Sequence, residues 1–189
     1  MSTDAIATIL EEHHSLKAVV HGLKHVVNEA RSNGGRCDFK ALRALIYYID
    51  AYPEKRHHPK EETYLFARLR QRTDAANTVL DELERQHERT EALVTSLHER
   101  LEGFENGDTG GLAAFATAVD RFTEAMWQHM AMEEKVLLPL AREHLTEADW
   151  AKVAEAFGEN DDPAYSVSRR SDLDELLEQV TRFADDSQH

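Results

Sequence analysis

Four long stretches of this chain place apolar residues at alternating steps of three and four, and that rhythm leaves few folds open. The first runs Ile6, Ile9, Leu16, Val20, Leu23, Val27, and the second opens with Leu42, Leu45, Ile46 and Ile49. The third runs Leu80, Leu83, Thr90, Val94, Leu97, Leu101, and the fourth Phe115, Val119, Phe122, Met126, Val136, Leu140. Such spacing draws one apolar stripe along a helix, the seam by which helices pack side by side. Gly (8) and Pro (4) are scarce among 189 residues, so little interrupts it. The pattern predicts helices over about Thr3 to Arg31, Phe39 to Arg70, Thr73 to Glu105 and Leu112 to His144. Pro53 and Pro59 predict a kink or restart near 52–54 in the second. The expected fold is all-α: an antiparallel up-down four-helix bundle with extra short C-terminal helices.

The expected organisation is one domain over residues 1–145 and a helical extension over 146–189 packed on its outside. In the extension a short helix is expected near Glu147 to Phe157, then the loop GENDDPAYSVS, then a weakly amphipathic helix near Leu173 to Phe183. The two halves repeat. A shift of 74 pairs Ile6 with Leu80, Ile9 with Leu83, Val20 with Val94 and Leu23 with Leu97. It also pairs His13 with His87. The second and fourth stretches repeat at 72, which aligns HHPKEETYLF (57–66) with HMAMEEKVLL (129–138).

In each stretch the rhythm is broken by a polar residue in a seam position. These are His13 and His87, and the pairs His57 with Glu61 and His129 with Glu133. Burying one polar group costs free energy unless it finds partners. Burying six at one depth needs a compensating group, and a metal provides it directly through neutral imidazole and carboxylate ligands. Residues i and i+4 share a helix face, about 40° apart, so each His–Glu pair can address one centre. Six donors from four helices exceed what one zinc takes and suit two iron or manganese ions. With two bridging carboxylates, places stay open for a small ligand such as dioxygen, peroxide or nitric oxide.

Neighbouring residues leave alternatives. His14 and His58 adjoin proposed ligands and either can substitute; the seam favours His13, and the spacing matched in both halves favours His57. Glu62 and Glu134 read as solvated or as partners of ligands, and Glu91 as a candidate seventh ligand. His21, His25, His98 and His144 read as surface residues. Tyr47, Tyr48, Tyr64 and Trp127 read as core or pocket wall, with Tyr64 a candidate gate.

The formal charge of −14 excludes a phosphate-backbone binder, which needs clustered Lys and Arg. No apolar run reaches the roughly 18 residues of a membrane span. The N-terminus carries no secretory pattern, and Cys37 stands alone, so a cytoplasmic protein is expected.

Taken together, EEHHSLKAVV, HHPKEETYLF, His87 within LERQHERTEALV, and HMAMEEKVLLP resemble the hemerythrin-like HHE cation-binding family over about residues 4 to 165. The resemblance implies a non-haem di-iron centre, Fe2+ or Fe3+ with an oxo or hydroxo bridge, in preference to manganese or zinc. Its ligands would be His13, His57, Glu61, His87, His129 and Glu133. Oxygen-carrying members have a further His one turn after the third-helix ligand, where this chain has Glu91. They also space their last pair by five, which here selects Glu134. Reversible oxygen transport is therefore not implied. The roles implied are sensing, peroxide or nitric oxide handling (a catalase-like oxidoreductase among them), and iron homeostasis. The expected partners are a small diatomic ligand or peroxide and a separate electron donor, for a monomer or homodimer. Two rivals stand beside this: a ferritin-type oxidase using Glu11-x-x-His14 and Glu84-x-x-His87, and a redox-silent zinc module.

Overall fold

The structure is a computed structural model and describes residues 2–158, with side chains from residue 5 onward. Among these residues the fold is all-helical, without a strand. Five segments follow one another. Helix α1 is Ser2–Ser32. Helix α2 covers 39–72, and a 3-10 turn at Asp74–Ala76 leads to α3, Asn77–Glu105. Helix α4 covers 111–144, and α5 is Glu147–Gly158. The second helix of the expected extension, near 173–183, lies outside the described residues, as does the loop before it.

Local chemistry sets the boundaries. Asp38 caps α2 by accepting from the Ala41 amide at 3.0 Å. Between α3 and α4 the chain turns through Gly110 (φ 76°) into Gly111. A Cβ on Gly111 would lie 2.9 Å from the Gly103 carbonyl oxygen, so only glycine lets the two helices meet there. Helix α5 starts with a reciprocal cap. The Thr146 amide donates to Asp149 at 2.9 Å, and the Asp149 amide donates to the Thr146 hydroxyl at 3.2 Å.

The prolines do not break α2. It is α-helical over Phe39–Ile49, π-helical over Asp50–His57, briefly α over His58–Lys60, π again over Glu61–Phe66, and α over Ala67–Arg72. Pro53 sits inside the first wide turn, where the His58 amide reaches the Pro53 carbonyl. A wide turn tolerates the missing donor and the ring of proline, so the expected restart is replaced by π geometry. Helix α4 has the same device over Glu133–Leu137, just ahead of Pro139.

The seams pack as their rhythm requires up to the end of α4, where Leu140 is only half-buried and Val136 departs altogether. Ile6, Ile9, Leu16, Val20, Leu23, Val27, Leu42, Leu45, Ile46, Ile49, Leu80, Leu83, Val94, Leu97, Phe115, Val119, Phe122 and Met126 are all buried. Val136 is not: it is 43% exposed, while Leu137, Leu138 and Ala141 are buried. The π turn inserts an extra residue and shifts the phase of everything after it. Helices α3 and α4 pack along each other, α1 lies against α2, α4 and α5, and α5 also meets the second wide turn of α2.

Candidate metal centre

The seam histidines and glutamates meet in one polar layer. His13 (1% exposed), His57 (4%), His87 (6%), His129 (1%), Glu61 (0%) and Glu133 (0%) are buried together. On each helix an apolar residue flanks the layer on either side. Ile9 and Leu16 bracket His13, Leu83 and Val94 bracket His87, and Ile49 and Leu65 bracket the α2 donors. Met130 and Leu137 bracket Glu133.

The two carboxylates face both sides of the layer. Glu61 Oε1 lies 3.3 Å from His57 Nε2, and Glu61 Oε2 lies 3.6 Å from His87 Nε2. Glu133 Oε2 lies 3.0 Å from His13 Nε2, and Glu133 Oε1 lies 3.4 Å from His129 Nε2. Close as they are, these atoms make no hydrogen bonds: the Nε2 atoms of all four histidines and every oxygen of Glu61 and Glu133 are buried without a partner. Orphaned buried groups are rare because each costs about 1–3 kcal/mol, and here eight such atoms converge.

A fifth histidine joins them. His58 is 3% exposed, and neither of its ring nitrogens has a hydrogen-bond partner. Its ring stacks on His87 at 4.0 Å and meets His129 edge-on at 5.1 Å. The donor atoms form groups within 4.8 Å: His58, His87 and His129; His13, His57, Glu61 and Glu133; and Glu61, His87, His129 and Glu133. Each is suited to holding a metal ion. Glu91, the expected candidate for a seventh place, is exposed. Adjacent residues on an α-helix point about 100° apart, so spacing alone chose between His57 and His58. The wide turns before and after them let both face inward.

Outside the layer, four of the five imidazoles lean on an acceptor. His57 Nδ1 donates to Glu12 at 2.6 Å and His13 Nδ1 to Glu134 at 3.0 Å. His87 Nδ1 donates to Glu62 at 2.7 Å and His129 Nδ1 to the Gln86 side-chain oxygen at 3.2 Å. Glu54 Oε1 lies 3.6 Å from His58 Nδ1. Such outer bonds fix which nitrogen faces a metal and raise its basicity. Glu62 and Glu134 thus hold ligand candidates rather than standing among them, and Lys17 in turn donates to Glu134 at 2.7 Å. Glu12, Glu54 and Gln86 were not singled out in the sequence. The signal for Glu12 was its place directly before His13 and His14.

The electrostatics divide the layer. Burial opposes charge on His57, but Glu61 and Glu12 outweigh it and hold the imidazole well above its ordinary pKa. For His13, burial is likewise outweighed by Glu133. His58 is pushed well below its ordinary value by burial and by the other histidines, and His129 down to about 4 by burial. Burial also pushes Glu54 up to about 8, helped by Glu91 and Asp50.

The other expectations divide. His21 and His98 are exposed and His25 and His144 half-buried. Tyr48 is buried and Trp127 packs partly against the core, but Tyr47 is 50% exposed and Tyr64 37%. Tyr64 lies beneath the Arg68 guanidinium at the surface. The ferritin-type set does not assemble: Glu11 and His14 are exposed, and Glu84 accepts from Arg70 at 2.9 Å.

Helix α5 closes the layer on the His57 side. Phe157 is fully buried and meets the His57 ring edge-on at 5.9 Å, with the Lys60 ammonium 5.8 Å over its own ring. Arg72 anchors the start of the helix with two bonds to Asp149, at 2.8 and 3.0 Å.

Helices that bring His and Glu donors together in a buried layer, as among the described residues here, define a helical protein with a candidate metal centre. The family model for the hemerythrin HHE cation-binding domain matches residues 4–141, and the chain belongs to that family. Comparison with characterised proteins and with solved structures returned no match. Among the described residues no helix is long and apolar enough to cross a membrane.

Proposed function

We propose that this chain is a non-haem di-iron protein, an antiparallel four-helix bundle with α5 as an added cover, that binds or reduces small oxidants. The observation that carries the reading is the convergence of partnerless buried donors into two groups that share Glu61 and Glu133. Five imidazoles and two carboxylates are more than one ion accepts, and a four-coordinate zinc would leave several orphaned. In this reading His13 and His57 would hold one ion, His58, His87 and His129 would hold the other, and Glu61 and Glu133 would be available to both. Two irons, when bound, would supply redox chemistry toward dioxygen, peroxide or nitric oxide.

The chain's own contribution is to bind and to shield. Glu12, Glu62, Glu134 and Gln86 hold four of the imidazoles with Nε2 inward. The side with two imidazoles has fewer protein donors, which favours it as the place where a small molecule enters. Phe157 covers that side and keeps bulk water from it. A role in oxidative or nitrosative stress or in iron homeostasis, a separate electron donor and a cytoplasmic setting belong to the same proposal.

The test is metal analysis with an absorption spectrum on protein from iron-supplied cells, followed by peroxide and nitric oxide titrations. Near two irons per chain, with charge-transfer bands that respond to the titrants, is the expected result. One zinc per chain and no visible band would support the redox-silent module instead.

A further inference from the structure

Among the outer acceptors, Glu12 is held from both ends. It is 8% exposed, and its two oxygens take different partners. Oε2 accepts from His57 Nδ1 at 2.6 Å, and Oε1 accepts from the Tyr52 phenol at 2.6 Å. Tyr52 belongs to the same wide turn as His57, Asp50–His57, and its ring stacks on buried Tyr48 at 5.5 Å and 20°. The phenol is therefore aimed by packing as well as by its bond. The other bonded imidazoles have weaker or wetter acceptors. The Gln86 oxygen is neutral and 3.2 Å away, Glu62 is 44% exposed, and Glu134 is 27% exposed. A short bond between two groups this buried acts at low dielectric and carries more weight than one screened by water.

We infer that Tyr52 and Glu12 are a positioning pair that sets the electron donation of His57 and thereby the reduction potential of a metal held there. This rests on the reading of the layer as an iron centre. The two residues act in opposite directions. A carboxylate on Nδ1–H draws the proton outward and makes Nε2 a stronger donor, which favours the more highly charged ion. The Tyr52 phenol spreads the charge of Glu12 over a second hydrogen bond and weakens that pull. Glu12 alone would lower the potential further; Tyr52 moderates it.

The opposition makes the test specific. Glu12→Gln and Tyr52→Phe are made in the full chain, loaded with iron, and their midpoint potentials are compared with the parent. Glu12→Gln should shift the potential up and Tyr52→Phe should shift it down. Chelator competition should show Glu12→Gln losing metal affinity by roughly 10–100-fold, while Tyr52→Phe binds at least as tightly as the parent. The His57 Nδ1–H proton resonance of the zinc-loaded protein gives a readout free of redox chemistry. It should move downfield in Tyr52→Phe and upfield in Glu12→Gln. If Glu12→Gln does not fold, Tyr52→Phe still carries both readouts. Shifts of the same sign, or none, in variants that load normally would overturn the pairing and leave the iron centre standing. A parent chain that takes up no metal would overturn both.

Discussion

Exchanging His58 for Ala removes one imidazole and leaves every other donor of the layer in place. His58→Ala should lower the metal content per chain, while Glu91→Ala and Glu84→Ala should leave it unchanged; elemental analysis reads all three. A His58 variant with full metal content would return the role to another side chain. Protons compete for the same nitrogens. In the metal-free protein the pKa values of His13 and His57 are raised above 6.5, so their stabilisation is complete below about pH 6.5 and lost as pH rises through the raised values. Those of His58 and His129 are lowered, His129 to about 4, so the unfolded chain binds more protons between about 4 and 6.5 and stability rises across that window. The metal-free protein should therefore be most stable near pH 6.5. Urea midpoints measured from pH 4 to 8 should trace a dome, and a flat profile would contradict these environments. Six residues of the layer were legible in the sequence because they occupy gaps in a 3.6-residue rhythm. His58 was legible only as an alternative to His57, because that rhythm cannot anticipate a turn wide enough to bring neighbouring residues inward together.

At the scale of elements, three π-helical stretches do most to shape the site, and two of them begin at its carboxylates, Glu61 and Glu133. Their effect on Val136 is the clearest case of a position misread from spacing, since one inserted residue turned a seam position to solvent. Helix α5 depends on a different device. The Asp149 carboxyl is held well below its usual range by Arg72 and by Thr146. A lowered acid stabilises the fold above its unfolded pKa, near 4, and that contribution fades as pH falls toward the folded value. Asp149→Ala should cost about 1 kcal/mol, as loss of a helix cap does. Amide exchange should quicken over 147–158 more than in α3, read by mass spectrometry; equal change in both would show that the cap is not a local anchor. That a short helix near Glu147 to Phe157 would lay a face on the outside of the other helices was expected from the sequence. That the face would settle on α1 and over His57 was not, because a pattern of burial does not say against what.

For the whole molecule, the layer is a place in the interior that a metal would complete. Filling the layer relieves buried groups that nothing else satisfies, so stripping it should lower the melting temperature sharply. A hundredfold excess of metal over its dissociation constant is worth about 2.7 kcal/mol if the unfolded chain does not bind it. Thermal melts with and without chelator test this, and coincident melts would mean the layer contributes nothing to stability. The repeat of the two halves was visible at this scale from offsets of 74 and 72 alone. It placed donors at equivalent depths on all four long helices, and the layer is where those depths coincide.

The layer also cuts the apolar interior in two. One slab holds Leu16 to Ala30 with Leu97, Phe115 and Phe122, and the other holds Ile6, Ile9, Leu65, Leu80, Leu83, Trp150 and Phe157. Between them lies a fault plane with little of the oily adhesion that binds each slab internally. Ions seated there would act as rivets, fastening strands of backbone that come from far apart in the chain. Unriveted, the slabs need not melt as one body: the one that includes α5 and the outer ends of α1 and α3 can open while the other stays shut. Loss of the ions would then be felt first as lost cooperativity, a single sharp transition broadening into two.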